Sequence, residues 1–173
     1  MKKLSLLLLL GIIACGKKPM NTSFRKLIKA KEYTVLMFIA PDCPMCKTLS
    51  TPFSKLIDEY PNVQFLMVHS GMHYDPMEIN MFATETKIKN HIFRDYNYEV
   101  ATQLGATVTP EFFLIDSAAN PIYSGLLDDR LLTLGNYKQQ WNKHYLKEAL
   151  DAILDGKKPE LTKTNAVGCV LEY

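Results

Sequence analysis

This chain is short of cysteine. Four cysteines are spread over 173 residues, and only Cys43 and Cys46 stand at Cys-x-x-Cys spacing. A zinc site built on that pair would need two more ligands at comparable spacing. Beyond the N-terminal segment the only other thiol is Cys169, and the four histidines are scattered, so no structural metal is expected. Charge of one sign is scarce too: the formal net charge is +2, and no basic cluster is interleaved with aromatics. Nothing therefore points to nucleic acid or to an acidic membrane surface as a partner. There is no internal repeat and no low-complexity segment, and the N-terminal apolar run from Leu4 to Ile13 is too short to span a bilayer comfortably.

That apolar run follows the basic Met1-Lys2-Lys3 and ends at Ile12-Ile13-Ala14-Cys15-Gly16, the pattern of an exported chain. A cysteine at this point resembles the bacterial lipobox, and the resemblance implies that Cys15 becomes the lipidated first residue of the mature protein. The alternative is an ordinary signal peptide with an incidental cysteine. Either way the expected location is the bacterial cell envelope, facing the periplasm or exterior, where disulfides persist. The division expected is a signal segment over 1–15, a polar tether over 16–22, and one domain over 23–173 with a tail from 157. An apolar share of 47% is ordinary for a globular core of that length.

The domain is organised around Ala40-Pro41-Asp42-Cys43-Pro44-Met45-Cys46. An apolar, strand-favouring run, Tyr33 to Ala40, leads into it. Leu49, Phe53, Leu56 and Ile57 then recur at helical spacing up to Tyr60. The two thiols thus sit at a strand-to-helix junction. The first N–H groups of a helix lack internal partners and carry partial positive charge, which favours an anion such as a thiolate. Pro44 suits the opening turn because it has no N–H to leave unpaired. This spacing makes Cys43 the expected nucleophile and Cys46, one turn deeper, the resolving thiol.

A first helix is expected over Ser23–Glu32, capped near Thr22 or Ser23. A second strand spans Val63–His69, and its unbroken apolar character suggests a sheet covered on both faces. Asp75 to Asn90 carries a weak helical pattern, His91–Asp95 a short strand, and Tyr98–Gly105 a short helix stopped by glycine. Pro110 leads directly into Glu111–Asp116, and a proline there marks a strand start or edge. After the turn Ser117–Pro121, Ile122–Ser124 returns antiparallel. A long helix is expected from Tyr137 to Asp155, with Trp141, Tyr145, Leu146, Leu150, Ile153 and Leu154 on its apolar face.

This order resembles the thioredoxin superfamily over most of residues 24–155: a strand, Cys-x-x-Cys, a helix, a strand, then Gly105-Ala-Thr-Val-Thr-Pro-Glu-Phe-Phe-Leu-Ile-Asp116 before a hairpin and a last helix. The segment 70–104 is similar to the insertion of extracytoplasmic thioredoxin-like and redoxin proteins. Ser124–Arg130 and the ending Thr164-Asn-Ala-Val-Gly-Cys169 resemble a redoxin-like subgroup with a C-terminal Gly-Cys. The resemblance implies a three-layer α/β fold: a central mixed sheet between helices, an insertion before the cis-proline strand, and a C-terminal tail. It also implies that Pro110 is cis beside the thiols and that the Thr109 backbone pairs with an extended substrate segment.

Departures from the family pattern matter. Asp42-Cys-Pro-Met-Cys46 replaces Trp-Cys-Gly-Pro-Cys, so the family's redox potential does not carry over. Met37 falls where thioredoxins often bury an acid, and Glu111 is the candidate proton acceptor for Cys46, weighed against a solvated carboxylate. Ala40 stands where peroxiredoxins place a threonine, which speaks against peroxidase activity. Copper-delivery relatives use Cys-x-x-x-Cys with a distant histidine, and no histidine lies between His91 and His144. Cys169 has two readings: a third redox thiol, or soft-metal ligand, returning near Cys43, or a small apolar residue packing the tail. His69 and His73 are expected in the core or on the surface rather than on one helix face, and Asp128, Asp129 and Arg130 in a solvated turn.

The activity expected is thiol–disulfide exchange. The Cys43 thiolate would attack a protein disulfide and Cys46 would displace the product. No cofactor beyond the Cys43–Cys46 couple is expected. Partners would be protein thiols or disulfides, a membrane or periplasmic reductant, and the membrane through the lipid anchor. The alternatives are a copper(I)-binding chaperone and a redox-inactive binding module of the same fold.

Overall fold

The structure is a computed structural model, which describes residues 20–88 and 91–173. The expected signal segment, Cys15, and the tether up to residue 19 lie outside the described residues. The first described residue, Met20, is buried, and Asn21 caps α1 (Thr22–Ile28) by accepting from the N–H groups of Ser23 and Phe24. The fold therefore begins inside the stretch expected to be tether. Helix α1 is also shorter than expected, ending four residues before Glu32.

Next come β1 (Tyr33–Ile39), α2 (Pro44–Glu59), β2 (Gln64–Ser70), α3 (Pro76–Glu85), β3 (Ile92–Asp95) and α4 (Glu99–Leu104). The second half holds β4 (Val108–Thr109), β5 (Glu111–Asp116), β6 (Pro121–Gly125), β7 (Leu131–Thr133), β8 (Asn136–Tyr137), α5 (Tyr145–Leu154) and β9 (Cys169–Val170). Five strands form one mixed sheet in the order β3-β2-β1-β5-β6. β1 runs parallel to β2 and β2 to β3, whereas β5 is antiparallel to both β1 and β6.

Strand alternation divides the core between two faces. Val35, Met37 and Ile39 of β1, Phe65 and Met67 of β2, and Phe112 and Leu114 of β5 face α2, α3 and α5, where Phe53, Phe82, Leu146 and Leu150 meet them. Leu36, Phe38, Leu66, Val68, Phe113 and Ile115 face the other way, against Phe24 and Ile28 of α1 and Val100 and Ala101 of α4. Both faces are thus covered, as the apolar strands implied, and the chain is a three-layer α/β domain. The segment expected as an insertion supplies α3, β3 and α4. Asp75 opens α3 with a capping box to Glu78. Buried Asp95 ties β3 to α4 by accepting from Ser70 Oγ and from the N–H groups of Val100 and Ala101.

Two expectations fail in the second half. The last helix starts at Tyr145, not Tyr137, because residues before it are bound elsewhere. Asn136 and Tyr137 pair with β7 across a turn in which Gly135 has φ +72°, and Lys138 N–H donates to the Arg130 carbonyl. Asp129 accepts from the N–H groups of Asn142 and Lys143 and from Lys138 Nζ. Trp141 is consequently off the helix, 40% exposed, with the Arg130 guanidinium stacked over its ring. Nor is the Asp128–Arg130 triplet solvated: Asp128 is buried and bonded in a fork by Arg130.

After α5 the chain runs along β6 and is pinned there. Thr164 N–H donates to the Ser124 carbonyl, while Thr164 Oγ1 accepts from Leu126 N–H at 2.8 Å and meets the Tyr123 hydroxyl at 2.9 Å. Gly125 permits this approach: it has φ +131°, and a Cβ there would lie 2.1 Å from Thr164 Oγ1. Replacing Thr164 by valine keeps the shape but orphans Leu126 N–H. The expected loss of stability is about 1–3 kcal/mol, read as a lower midpoint with an unchanged slope in urea unfolding.

Candidate active site

Cys43 is the N-cap of α2, and Pro44 occupies the first turn, as the junction reading required. The Thr109–Pro110 peptide bond is cis. Both residues are buried and bring β4 across the start of α2, so that the Thr109 carbonyl lies 3.1 Å from Cys43 Sγ and accepts from it in the protonated thiol. Cys46 lies 3.6 Å from Cys43 and is fully buried. From the far end of the sequence, β9 pairs antiparallel with β4 and sets Cys169 opposite Thr109. Cys169 Sγ reaches Cys43 Sγ at 2.8 Å. Cys43, Cys46 and Cys169 are all free thiols, and the fold gathers them at one point.

The three thiols are tuned unequally. Cys43 is lowered to about 5, chiefly by the Cys46 thiol hydrogen-bonding to it, with the Cys169 thiol and the backbone N–H groups of Cys46 and Cys169 adding to the effect against the cost of burial. The helix opening contributes through the Cys46 N–H, but the largest cause is a neighbouring thiol, which the sequence reading did not anticipate. Cys46 is pushed well up, first by burial and then by Cys43. Cys169 is pushed up to about 12, again first by burial and then by Cys43. One sulfur therefore carries the negative charge, and its two neighbours keep their protons to donate to it.

Glu111 is not the solvated carboxylate weighed from the sequence. It is 5% exposed, and its Oε2 accepts from Thr107 N–H at 2.7 Å and from Val108 N–H at 3.4 Å, which fixes the approach to β4. Met37 is buried in the sheet opposite Phe112. His69 is a core histidine, kept neutral by burial and then by Arg94, its value lowered to about 4. Its Nδ1 is buried without a hydrogen-bond partner, and the residue helps line a cavity of about 360 Å³ together with Asp42, Tyr74, Thr109 and Cys169. Tyr98, which also lines this cavity, packs against Tyr173 with the rings tilted 45° and their centroids 5.4 Å apart. Sequence reasoning missed His69, Tyr74 and Tyr98 as site residues, because nothing local marks a core side chain as cavity-lining. Among the described residues, no group of three His, Cys, Asp or Glu side chains is arranged to hold a metal ion. No helix among them is long and apolar enough to cross a membrane.

A mixed sheet between helices, with a dithiol opening the helix after β1 and a cis-proline facing it, defines a dithiol-bearing α/β domain of thioredoxin-like architecture. Residues 20–137 match the family model described as a thioredoxin-like domain, and the chain belongs to that family. Among solved structures it is similar to an uncharacterized conserved protein from Geobacillus kaustophilus. The two share 26% identity and a TM-score of 0.73 over 86% of this chain and 80% of that one. A hypothetical protein from Sinorhizobium meliloti shares 23% identity and a TM-score of 0.73 over 86% and 83% of the two chains. A thioredoxin-like protein solved in its oxidized form has the same fold at 17% identity and a TM-score of 0.55, over 77% and 84%. No protein with a curated description matches the chain.

Alkylation of the reduced protein should titrate Cys43 with a midpoint near 5, and replacing Cys46 by alanine should raise that midpoint, since its thiol is the largest stabiliser of the thiolate. Because the folded value lies below the ordinary thiol value, the unfolded chain binds more protons at this group between about pH 5 and pH 9. The reduced protein should therefore gain stability relative to Cys43→Ala as pH rises through that window, and lose the gain as pH falls through 5. Urea unfolding at stepped pH checks the sign.

Proposed function

We propose that this protein is a thiol–disulfide oxidoreductase of the bacterial cell envelope, acting on protein disulfides and thiols through Cys43 and Cys46. Lipid on Cys15 would hold it at the membrane, and a membrane or periplasmic reductant would recharge it. The observation that carries the reading is the pairing of a strongly acidified thiol with a buried, protonated one 3.6 Å away. Cys43 is a thiolate at neutral pH, and a thiolate is the attacking species. Its attack on a substrate disulfide gives a mixed disulfide and releases one substrate thiolate. Charge on Cys43 is then lost, so the second of the two causes that held Cys46 protonated, after its burial, weakens, and Cys46 attacks Cys43 to release the second substrate thiol. Thr109 and Pro110 form the ledge beside Cys43 on which an extended substrate segment would pair.

Reduced protein should accelerate reduction of a protein disulfide such as insulin in the presence of a dithiol reductant. Cys43→Ser should bring that rate to background. Cys46→Ser combined with Cys169→Ser should also stop turnover while accumulating a mixed disulfide on Cys43, which would be isolated and its partner identified by mass spectrometry. Stoichiometric copper(I) binding without any disulfide turnover would instead favour the chaperone. A Cys43 that alkylates no faster than free cysteine would favour an idle binding module.

A further inference from the structure

The segment after α5 returns to the dithiol along a defined route. It is pinned at Thr164 to the end of β6, and Gly168 then passes so close to β4 that a Cβ there would lie 2.4 Å from the Thr109 carbonyl oxygen. β9 follows, with Cys169 opposite Thr109 and Val170 opposite Val108, and Leu171 N–H donates to the Thr107 carbonyl at 2.9 Å. Tyr173 closes the contact with a hydrogen bond from its hydroxyl to the Ala106 carbonyl. With β9 in place Cys43 is only 2% exposed. A second polypeptide then has neither a free β4 edge to pair with nor a path to the nucleophilic sulfur. What does meet Cys43 is a cysteine presented on an antiparallel strand, the posture required of a substrate.

We propose that β9 is an internal stand-in for the substrate strand, and that Cys169 serves as a second resolving thiol, recovering Cys43 from its mixed disulfide by forming a Cys43–Cys169 bond. The proposal rests on the oxidoreductase reading above. An incoming disulfide R–S–S–R′ displaces β9, and the Cys43 thiolate forms Cys43–S–S–R while R′–S⁻ leaves. As the substrate segment leaves the β4 edge, β9 re-pairs and brings Cys169 back. Its sulfur bonds to Cys43 Sγ, the Cys43–R bond breaks, and R–S⁻ departs, taking up the proton Cys169 gives up. The two electrons from Cys43 and Cys169 end on the two substrate thiols, so no other oxidant enters. Cys46 can then attack the same Cys43 sulfur and free Cys169, which shifts the disulfide without net oxidation.

The test uses the full-length chain carrying Cys15→Ser and Cys46→Ser, which leaves Cys43 and Cys169 as its thiols. Cys46→Ala, which keeps that buried position apolar, is run alongside. Reduced protein is mixed with one equivalent of an aromatic disulfide that releases thionitrobenzoate. The expected result is two thionitrobenzoates per protein and an unlabelled chain that has lost two hydrogens, with Cys43 linked to Cys169 on peptide mapping. A single release, with a lasting adduct on Cys43 and an alkylatable Cys169, overturns the proposal. Gly168→Ala, which forces the strand off Thr109, should slow the second release about tenfold by removing the β4–β9 hydrogen bonds; an unchanged second release overturns the stand-in role of the strand. A Cys15→Ser, Cys169→Ser chain separates the two claims. If it fails to form Cys43–Cys46, the oxidoreductase reading falls. If it forms that bond while the Cys46 variants hold their adduct, only the role of Cys169 falls.

Discussion

Everything at this site hangs on the backbone of Thr109. Its carbonyl lies 3.1 Å from the Cys43 sulfur on one side, accepting from it when that thiol is protonated, and the two-residue strand it belongs to holds Cys169 on the other. A strand of that length has almost no ladder of its own, so its position must come from elsewhere. The buried carboxylate of Glu111 supplies it by accepting the N–H groups of Thr107 and Val108, while Glu111 itself is fixed as the first residue of β5 in the central sheet opposite Phe38. The large core on both faces of the sheet thus determines, through one glutamate, where a short edge strand lies relative to a sulfur. A carboxylate that the sequence offers as a candidate proton acceptor is thus also a positioning group for the loop.

The electrostatics of the three sulfurs follow from that placement. A thiolate in a buried position is costly unless hydrogen-bonded. Here the donors are chiefly other thiols, whose protons are held in place first by burial and then because their own ionisation would put like charges side by side. The charge is therefore shared out asymmetrically by geometry. The helix opening adds to this through the Cys46 N–H.

The sequence made the sheet legible wherever a residue's role depended on neighbours in the chain. The apolar runs of β1, β2 and β5, Gly105 as the stop of α4, Pro44 at the start of α2 and Asp75 ahead of Pro76 all act over a few residues. The misread stretch, Tyr137–His144, has helical-looking apolar spacing, but its N–H groups are claimed by Asp129 and Arg130 from an earlier loop. Burial of Glu111 was invisible because its partners are main-chain groups, which leave no mark in composition. The meeting of Cys169 with Cys43 joins residues 126 positions apart through a pairing of two residues per strand. No periodicity announces a contact that brief. The cysteine count raised the question, and only the fold places the thiol.

The pin at Thr164 has one further consequence. From there to Cys169 the chain is so short that, fully extended at about 3.5 Å per residue, it reaches roughly 17 Å. When β9 lifts away, its sulfur cannot diffuse off into solvent; it patrols a small hemisphere centred on Thr164 that includes the dithiol. A short leash of this kind holds a group at an effective concentration in the millimolar range. Any free thiol that sought to intercept the bond on Cys43 would have to match that local crowding, so the leash tilts the chemistry toward closure within the chain.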